Sequence, residues 1–466
     1  MALGRRKRVQ DELFIAHDRL PVGPGNSFYE RLNGILTTHD FDGWCEEHCR
    51  RFYTEKMGRP SLVPGVYFRM VLLGYFERIS SERQIAWRVA DSLSLRRFLG
   101  LELTDRTPDH STLSRTRQRL DQSVHEEVFA WVLKVLAQEG LVKGQTLGVD
   151  GTTLEANASL RALRDKVTNE SYQSYVRGLM GADPEVEIDD PGPDDIARYD
   201  RRRKDKKLSN TQWHNPHNPD AQITRMKDGR THFAEKCEHA VDMETGAVLG
   251  VTVQPASRGD TESIYPTLVA AARNLNQIKP EIRAQLKDQP QKPGRPLPTD
   301  LLAEVVADKG YHSASVITTL QQRIGIRTVI SEPDRGRQKW KDRHDEQQAV
   351  YRNRTHIRQK RGKNLLKRRG ELLERAFTHY LDLGSMRKLF LKGHQNITKR
   401  LLIHVAGFNL GLLMRKLFHA ATPRAAAAAA NRFFAPILAL FAFLACQHPP
   451  SLHSCSRRQS QSMIKT

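Results

Sequence analysis

Apolar residues recur at helical spacing through the first 140 residues of the chain. One such helix follows Pro64, and its apolar positions are Val66, Met70, Leu73 and Phe76. Ser81 and Gln84 have the spacing of a capping box, which predicts the start of a second helix. A third helix is predicted after a turn at residues 107–111, with Leu113 and Leu120 on one face. This pattern predicts an all-helical N-terminal domain over residues 1–140.

The periodicity changes near residue 146, where short apolar runs bounded by turn residues begin. Residues 239–242 and 247–253, joined by a four-residue turn, are typical of a β-hairpin. Residues 305–308 and 328–330 are predicted as two further short, buried strands. Helical patterns cover residues 261–275 and 314–323. Strands mixed with helices indicate an α/β domain, which we place at residues 141–420.

Two parts of the chain have the composition of poorly packed segments. A charged insertion lies near residues 160–215, and within it residues 181–195 contain seven acidic residues and three prolines, which favours a mobile linker. The alanine-rich and polar residues 421–466 are interpreted as a low-complexity or disordered tail. Its apolar stretch, residues 433–446, is 14 residues long. Because a membrane span needs about 20 apolar residues, we expect no membrane association.

The net charge of the chain indicates the kind of partner that it binds. The formal net charge is +21, and residues 331–400 hold 20 Lys/Arg against 8 Asp/Glu, a local excess of 20 − 8 = +12. A basic excess of this size favours a polyanionic partner. The five cysteines are too few and too scattered for a disulfide framework, which favours a reducing cytoplasm.

Three acidic residues are the strongest candidates for catalysis. Asp150 and Asp308 each close a short apolar run that predicts a strand, and Glu374 lies on a basic amphipathic helix. The carboxyl ends of strands in open α/β sheets are the usual place for an active site. Their carboxylate oxygens are the ligands that Mg²⁺ or Mn²⁺ prefers, and such ions share coordination with substrate phosphates. We therefore predict that all three coordinate the metal ions of a phosphoryl-transfer site.

Each candidate has a simpler interpretation. An aspartate followed by glycine after a strand is often only a turn, and this applies to Asp150. Asp308 precedes a similar turn sequence. Glu374 lies about 100° around its helix from the buried position Leu373, at the edge of the apolar stripe, whereas Glu371 lies about 160° away. That favours Glu374 as the residue reaching the site, although an ion pair with a neighbouring arginine would place it equally well.

Five sequence blocks resemble those of bacterial insertion-sequence transposases of the DDE class, whose catalytic sites hold two aspartates and a glutamate. The three catalytic blocks are VDGTTLEANA at residues 149–158, ADKGY at 307–311 and LERAF at 373–377. Two further blocks are NPDA at residues 218–221 and VDMETG at 241–246. Residues 58–120 resemble the helical domain that precedes this core in many such elements. The resemblance covers about residues 15–424.

The resemblance implies a fold and a reaction. The fold class is α/β, an RNase-H-like mixed sheet flanked by helices, with Asp150 and Asp308 on neighbouring strands and Glu374 on a following helix. The implied activity is Mg²⁺- or Mn²⁺-dependent cleavage of the element's ends and joining to target DNA. The partners are the terminal inverted repeats and target duplex. Holding two ends calls for a homodimer or larger assembly. A nuclease without strand transfer, and an inactive DNA-binding relic, remain alternatives.

Basic residues in two places are candidates for DNA contact. Lys367, Arg368 and Arg369 lie beside the proposed catalytic glutamate and are predicted to contact backbone phosphates. Arg115 and Arg119, on the third predicted N-terminal helix, are candidates for reading sequence. Charged helix faces are more often only solvated, and packing of the apolar residues explains the N-terminal helix without DNA.

Overall fold

The computed structural model describes residues 26–54, 61–287 and 301–428, apart from positions 187, 189, 205, 207, 227, 335 and 337. Part of the block at residues 58–120, and the chain beyond residue 428, lie outside the described residues. The predictions of a disordered tail and of the apolar stretch at 433–446 therefore stay untested.

Helices form the whole of the described N-terminal region. They are α1 Ser27–Thr38, α2 Phe41–Cys49, α3 Pro64–Phe76, α4 Glu82–Ala90, α5 Leu93–Phe98, α6 His110–Arg119 and α7 Gln122–Gln138. Local signals set their starts: Pro64 occupies the first turn of α3, and the Ser81 side chain accepts a hydrogen bond from the Gln84 amide (3.2 Å). The predictions of a helical N-terminal region and of these two helix starts are confirmed.

A mixed β-sheet follows. Its strands are β1 Thr146–Glu155, β4 Gln222–Arg225, β5 Thr231–Asp242, β6 Val248–Pro255, β7 Glu304–Ala307 and β8 Arg327–Ile330, while β2 Arg164–Asp165 and β3 Trp213–His214 form a separate pair. β1, β5 and β6 are antiparallel neighbours, and β7 and β8 add in parallel beyond β1. The resulting order β6-β5-β1-β7-β8 is the arrangement of an RNase-H-like sheet. The predicted fold class, hairpin and two short buried strands are confirmed.

Helices cover both faces of this sheet. The later helices are α10 Asp260–Gln277, α11 Lys279–Lys287, α12 Ala314–Thr318, α13 His344–Arg358, α14 Lys360–Phe377 and α15 His394–Phe418. α14 packs on one face, where Leu373 lies against Gly148 of β1. α10 packs on the other, where Ala271 lies against Gly250 of β6. Glycine at both contacts lets the helices approach the sheet closely.

The charged insertion is folded. α8 Tyr172–Gly181 and α9 Pro193–Arg202 pack together through the buried side chains of Val176, Met180 and Ile196. Asp200 accepts a hydrogen bond from the Tyr172 hydroxyl (2.8 Å) and forms an ion pair with Arg203 (3.5 Å). The prediction of a mobile linker over residues 181–195 is wrong where α9 begins, because the opposite charges pair within the insertion instead of repelling.

The long apolar helix near the C-terminus belongs to the protein interior. Residues His394–Ala428 are long and apolar enough to cross a membrane, but 78% of their most apolar window is buried inside the protein. α15 contacts α3, α7 and β6. The helical region and the sheet therefore share one hydrophobic core. The proposed boundary between residues 140 and 141 falls between α7 and β1 and stays a prediction.

Candidate active site

Asp150 lies inside a strand. β1 continues past Asp150 to Glu155, and the backbone of Asp150 pairs with that of His239 in β5. The next residue, Gly151, is also paired, and a Cβ there would lie 3.1 Å from Lys236 Cε and 3.2 Å from the Tyr311 hydroxyl oxygen. The glycine lies in tight packing inside a strand, and the interpretation of this Asp-Gly pair as a turn is wrong.

Asp308 directly follows β7, the strand that pairs in parallel with β1. The three parallel pairs between β1 and β7 all differ by the same number, 304 − 146 = 158. The last pair is Gly148 with Val306, and the same register extended by two residues would place Asp308 level with Asp150, since 150 + 158 = 308. The Asp308 carboxylate caps the short 3-10 turn Lys309–Tyr311 by accepting a hydrogen bond from the Gly310 amide (2.9 Å).

Glu374 is exposed on α14, the helix that packs on β1 through Leu373. Leu373 packs on Gly148, while Arg368 donates to a main-chain carbonyl of the β5–β6 hairpin (2.9 Å). That hairpin lies beside the N-terminal end of β1. Arg368 and Glu374 lie on opposite sides of Leu373 by helix geometry. Helix geometry therefore turns Glu374 away from the hairpin, toward the middle and the C-terminal part of β1.

Arg369 occupies the space beside the first aspartate. Its Nη1 lies 3.2 Å from Asp150 Oδ2, with 15% and 21% of the two side chains exposed. The predicted contact of Arg369 with DNA phosphate stays a prediction, and in the DNA-free protein this side chain pairs with Asp150. Partial burial strengthens an attraction that would be weak at the surface.

A stack of aromatic side chains holds α14 against the sheet at this point. The ring of His239 stacks on Phe377, with 3.7 Å between centroids, and its Nδ1 lies 2.9 Å from the Tyr380 hydroxyl. Burial, together with the smaller effect of the nearby Arg369, lowers the pKa of His239 to about 3, so this imidazole is neutral. Because His239 pairs with Asp150, the stack fixes α14 relative to the first aspartate. No sequence signal identified His239 or Tyr380.

The carboxylates provide only part of a metal site as they stand. Within residues 26–54, 61–287 and 301–428, apart from the positions excluded above, no three Asp, Glu, His or Cys side chains group closely enough to hold a metal ion. Asp150 lies in β1 and Asp308 directly follows the neighbouring strand β7, and their hard oxygen donors fit a divalent cation such as Mg²⁺. Glu374 faces the same end of the sheet from α14. The assignment of all three as metal ligands stays a prediction.

The other predicted DNA contacts make intramolecular interactions. Arg115 donates to the Ser111 hydroxyl (2.8 Å), and Arg119 lies over the ring of Tyr53 (5.1 Å to the centroid). Lys367 is exposed. None of these arrangements tests DNA binding, and the assignments stay predictions.

A network of charged side chains lies on the face of the sheet opposite α14. The sequence did not predict this network. Lys236 and Glu238 of β5 are buried there and contact Tyr311, Ser263 and Asp260. The sequence analysis offered no signal for the two β5 residues, because charged residues on a strand ordinarily indicate a solvated face.

A comparison with known protein families finds a similarity in the N-terminal region. Residues 18–119 match a family model described as "Transposase domain (DUF772)". The N-terminal region is similar to a transposase domain. The match supports a transposase and so agrees with the resemblance of the sequence motifs, whereas the insertion-sequence and DDE details stay predictions. The comparison with curated proteins finds no match.

Among solved structures, complexes of the Mos1 transposase are similar at a low level. The paired-end complex with the left transposon end has 11% identity and a TM-score of 0.17, covering 75% of this chain and 88% of that chain. The pre-cleavage transpososome has 10% identity and a TM-score of 0.18, covering 78% and 98%. TM-scores this low do not establish a shared fold. The fold assignment rests on the strand order and register of this chain.

Proposed function

We propose that this protein is a DNA transposase of the DDE class, which cuts the ends of its element and joins them to target DNA. The observation that supports the proposal is the parallel β1–β7 register on an RNase-H-like sheet, which would bring Asp308 level with Asp150 if it is extended by two residues. The transposase-domain match at residues 18–119 supports the same function.

Asp150, Asp308 and Glu374 are the residues that would hold the divalent ion, Mg²⁺ or Mn²⁺. When bound, such an ion helps to activate the attacking oxygen and to stabilise the leaving oxygen. The chain's own contribution is to hold the two aspartates level on paired strands and to present Glu374 from α14. Arg369 balances the charge of Asp150 before the metal arrives.

Duplex DNA is the partner that the charge favours. The local excess of +12 in residues 331–400 (20 − 8) surrounds α14, so phosphates would meet basic side chains on either side of the site. Contacts of this kind give affinity and register on the duplex without reading its sequence. A homodimer that holds both element ends is part of the proposal.

The test is cleavage of a labelled duplex that carries the inverted repeats bordering the gene, with Mg²⁺ or with EDTA. We expect the wild-type protein to cut and join only with Mg²⁺, and Asp308→Asn to bind the same duplex without cutting. Cutting without joined products would favour a nuclease. Equal binding with no cutting by either protein would favour an inactive DNA-binding relic.

A further inference from the structure

Two charged residues of β5 are buried on the face of the sheet opposite α14. Glu238 is fully buried and Lys236 is 6% exposed. In the pairing of β5 with β1, Glu238 lies opposite Gly151 and Lys236 lies opposite Thr153. Both β1 residues follow the proposed catalytic Asp150. Charged side chains are rarely buried unless they are paired, so each contact they make is relevant.

Glu238 connects the loop after β7, which carries Asp308, to the centre of the sheet through a hydrogen bond. Its Oε1 accepts hydrogen bonds from the Tyr311 hydroxyl (2.7 Å) and from the Ser263 hydroxyl (2.5 Å). Burial raises the pKa of Glu238. Tyr311 lies three residues after Asp308 and is itself buried.

The tyrosine reaches Glu238 by passing under β1. β7, which precedes Tyr311, and β5, which carries Glu238, lie on opposite sides of β1. The passage occurs at Gly151, where a Cβ would lie 3.2 Å from the Tyr311 hydroxyl oxygen. The loop after β7 is therefore tied across the strand that holds Asp150.

Lys236 connects the start of α10 to the same face of the sheet through hydrogen bonds to Asp260 and Ser263. Its Nζ donates to Asp260 Oδ1 (2.5 Å), to the Ser263 hydroxyl (2.7 Å) and to the Arg258 carbonyl (3.2 Å). The Asp260 carboxylate in turn lies so close to Gly310 that a side chain there would collide with it. The loop after β7 thus contacts the network at Tyr311 and at Gly310.

We propose that Tyr311, Glu238 and Lys236 are positioning residues that hold Asp308 level with Asp150 for metal binding. The inference rests on the proposed function. The turn from Asp308 to Tyr311 is a single 3-10 turn, so fixing its last residue restricts the carboxylate at its first. The network touches neither DNA nor metal and acts only through the position of Asp308.

The test compares Tyr311→Phe with Tyr67→Phe in the full chain bound to element-end duplex. Tyr67 is a matched control, because its buried hydroxyl also makes a hydrogen bond, to His125 Nε2 (3.0 Å), but lies in the helical region. Mn²⁺ binding is measured from the electron paramagnetic resonance signal of the free ion. Loss of one buried hydrogen bond to a charged group leads us to expect Mn²⁺ affinity about fivefold to tenfold weaker in Tyr311→Phe. Tyr67→Phe should bind Mn²⁺ as the wild type does.

A double-mutant cycle separates positioning from general destabilisation. If Tyr311 acts on the position of Asp308 through its hydrogen bond to Glu238, the two substitutions remove the same interaction. Tyr311→Phe combined with Glu238→Gln should then bind Mn²⁺ no more weakly than the weaker single variant. Unchanged Mn²⁺ affinity in Tyr311→Phe, an equal loss in Tyr67→Phe, or additive losses in the double variant would overturn the inference. A wild-type protein that neither binds Mn²⁺ nor cuts DNA would instead refute the proposed function.

Discussion

Arg369 Nη1 lies 3.2 Å from Asp150 Oδ2, in a partly buried ion pair between α14 and the middle of β1. The arginine supplies one positive charge at the position where the proposed reaction needs a divalent ion. A metal ion that binds Asp150 must therefore displace this guanidinium or share the carboxylate with it.

Replacing Arg369 with Gln should strengthen metal binding to the DNA-free protein. Removing a positive charge beside Asp150 lowers the electrostatic repulsion of Mn²⁺, and we expect affinity about fivefold to tenfold tighter. Titration calorimetry with Mn²⁺ measures the change. Arg368→Gln is the matched control, because that side chain contacts a carbonyl of the β5–β6 hairpin instead. Equal affinities in the two variants would show that the ion pair does not restrict Asp150.

Glu374 and Glu371 form a second matched pair on α14. Both are exposed, so conversion to Gln should leave the thermal midpoint nearly unchanged in each case. We predict that Glu374 and not Glu371 belongs to the metal site, because Glu374 borders the buried stripe of α14 and Glu371 lies on its solvent side. We expect Glu374→Gln to slow Mg²⁺-dependent cleavage by about 100-fold or more, because a metal ligand is lost, and Glu371→Gln to cut normally.

Single-turnover cleavage of the element-end duplex measures both rates. Similar rates for the two variants would remove Glu374 from the site. Wild-type binding of the duplex by both proteins is the necessary control, because a loss of DNA affinity would also slow cleavage.

Local signals in the sequence predict much of the fold. The cap at Ser81 and the short apolar run that ends at Asp308 each depend on residues adjacent in the chain, and both are found in the structure. The position of Glu374 at the edge of a buried stripe also follows from helix periodicity alone.

Contacts between distant segments could not be predicted in the same way. Arg369 and Asp150 are separated by more than 200 positions, and an arginine on a basic helix gives no sign that it will turn inward. Glu238 looks like a solvent-facing residue of an alternating strand, and only the packing of α10 and Tyr311 against that face buries it. The same holds for α15, whose apolar sequence does not reveal that it packs on α3, α7 and β6.

Adding a methyl group at Gly151 should destabilise the protein. The new Cβ would lie 3.1 Å from Lys236 Cε and 3.2 Å from the Tyr311 hydroxyl oxygen, so the network must shift. We expect Gly151→Ala to lower the free energy of unfolding by about 1–3 kcal/mol. Gly178→Ala in α8 has no heavy atom within 4 Å of its Cβ and should raise it by up to about 1 kcal/mol. Urea unfolding followed by circular dichroism distinguishes the two, and equal stability of both variants would contradict the packing argument.

Stability should fall as the pH rises through the neutral range because of His394 at the start of α15. Its Nδ1 lies 2.8 Å from Oε2 of the buried Glu235, and this interaction raises the pKa of His394 above its usual value. The folded protein therefore holds the proton more tightly than the unfolded chain does. The stabilisation is complete below the unfolded pKa of about 6.5 and is lost as the pH rises through the higher folded pKa.

Urea unfolding at pH 6 and pH 8 tests this dependence. We expect the wild-type protein to lose about 1 kcal/mol of unfolding free energy between the two values through this pair, and His394→Gln to remove that part of the loss. His232→Gln is the control, because His232 forms a pair of the same length (2.8 Å) with the more exposed Asp228. Pairs at the surface contribute little to stability, so this variant should keep the wild-type pH dependence. A pH dependence unchanged in His394→Gln would mean that the Glu235 contact does not couple protonation to folding.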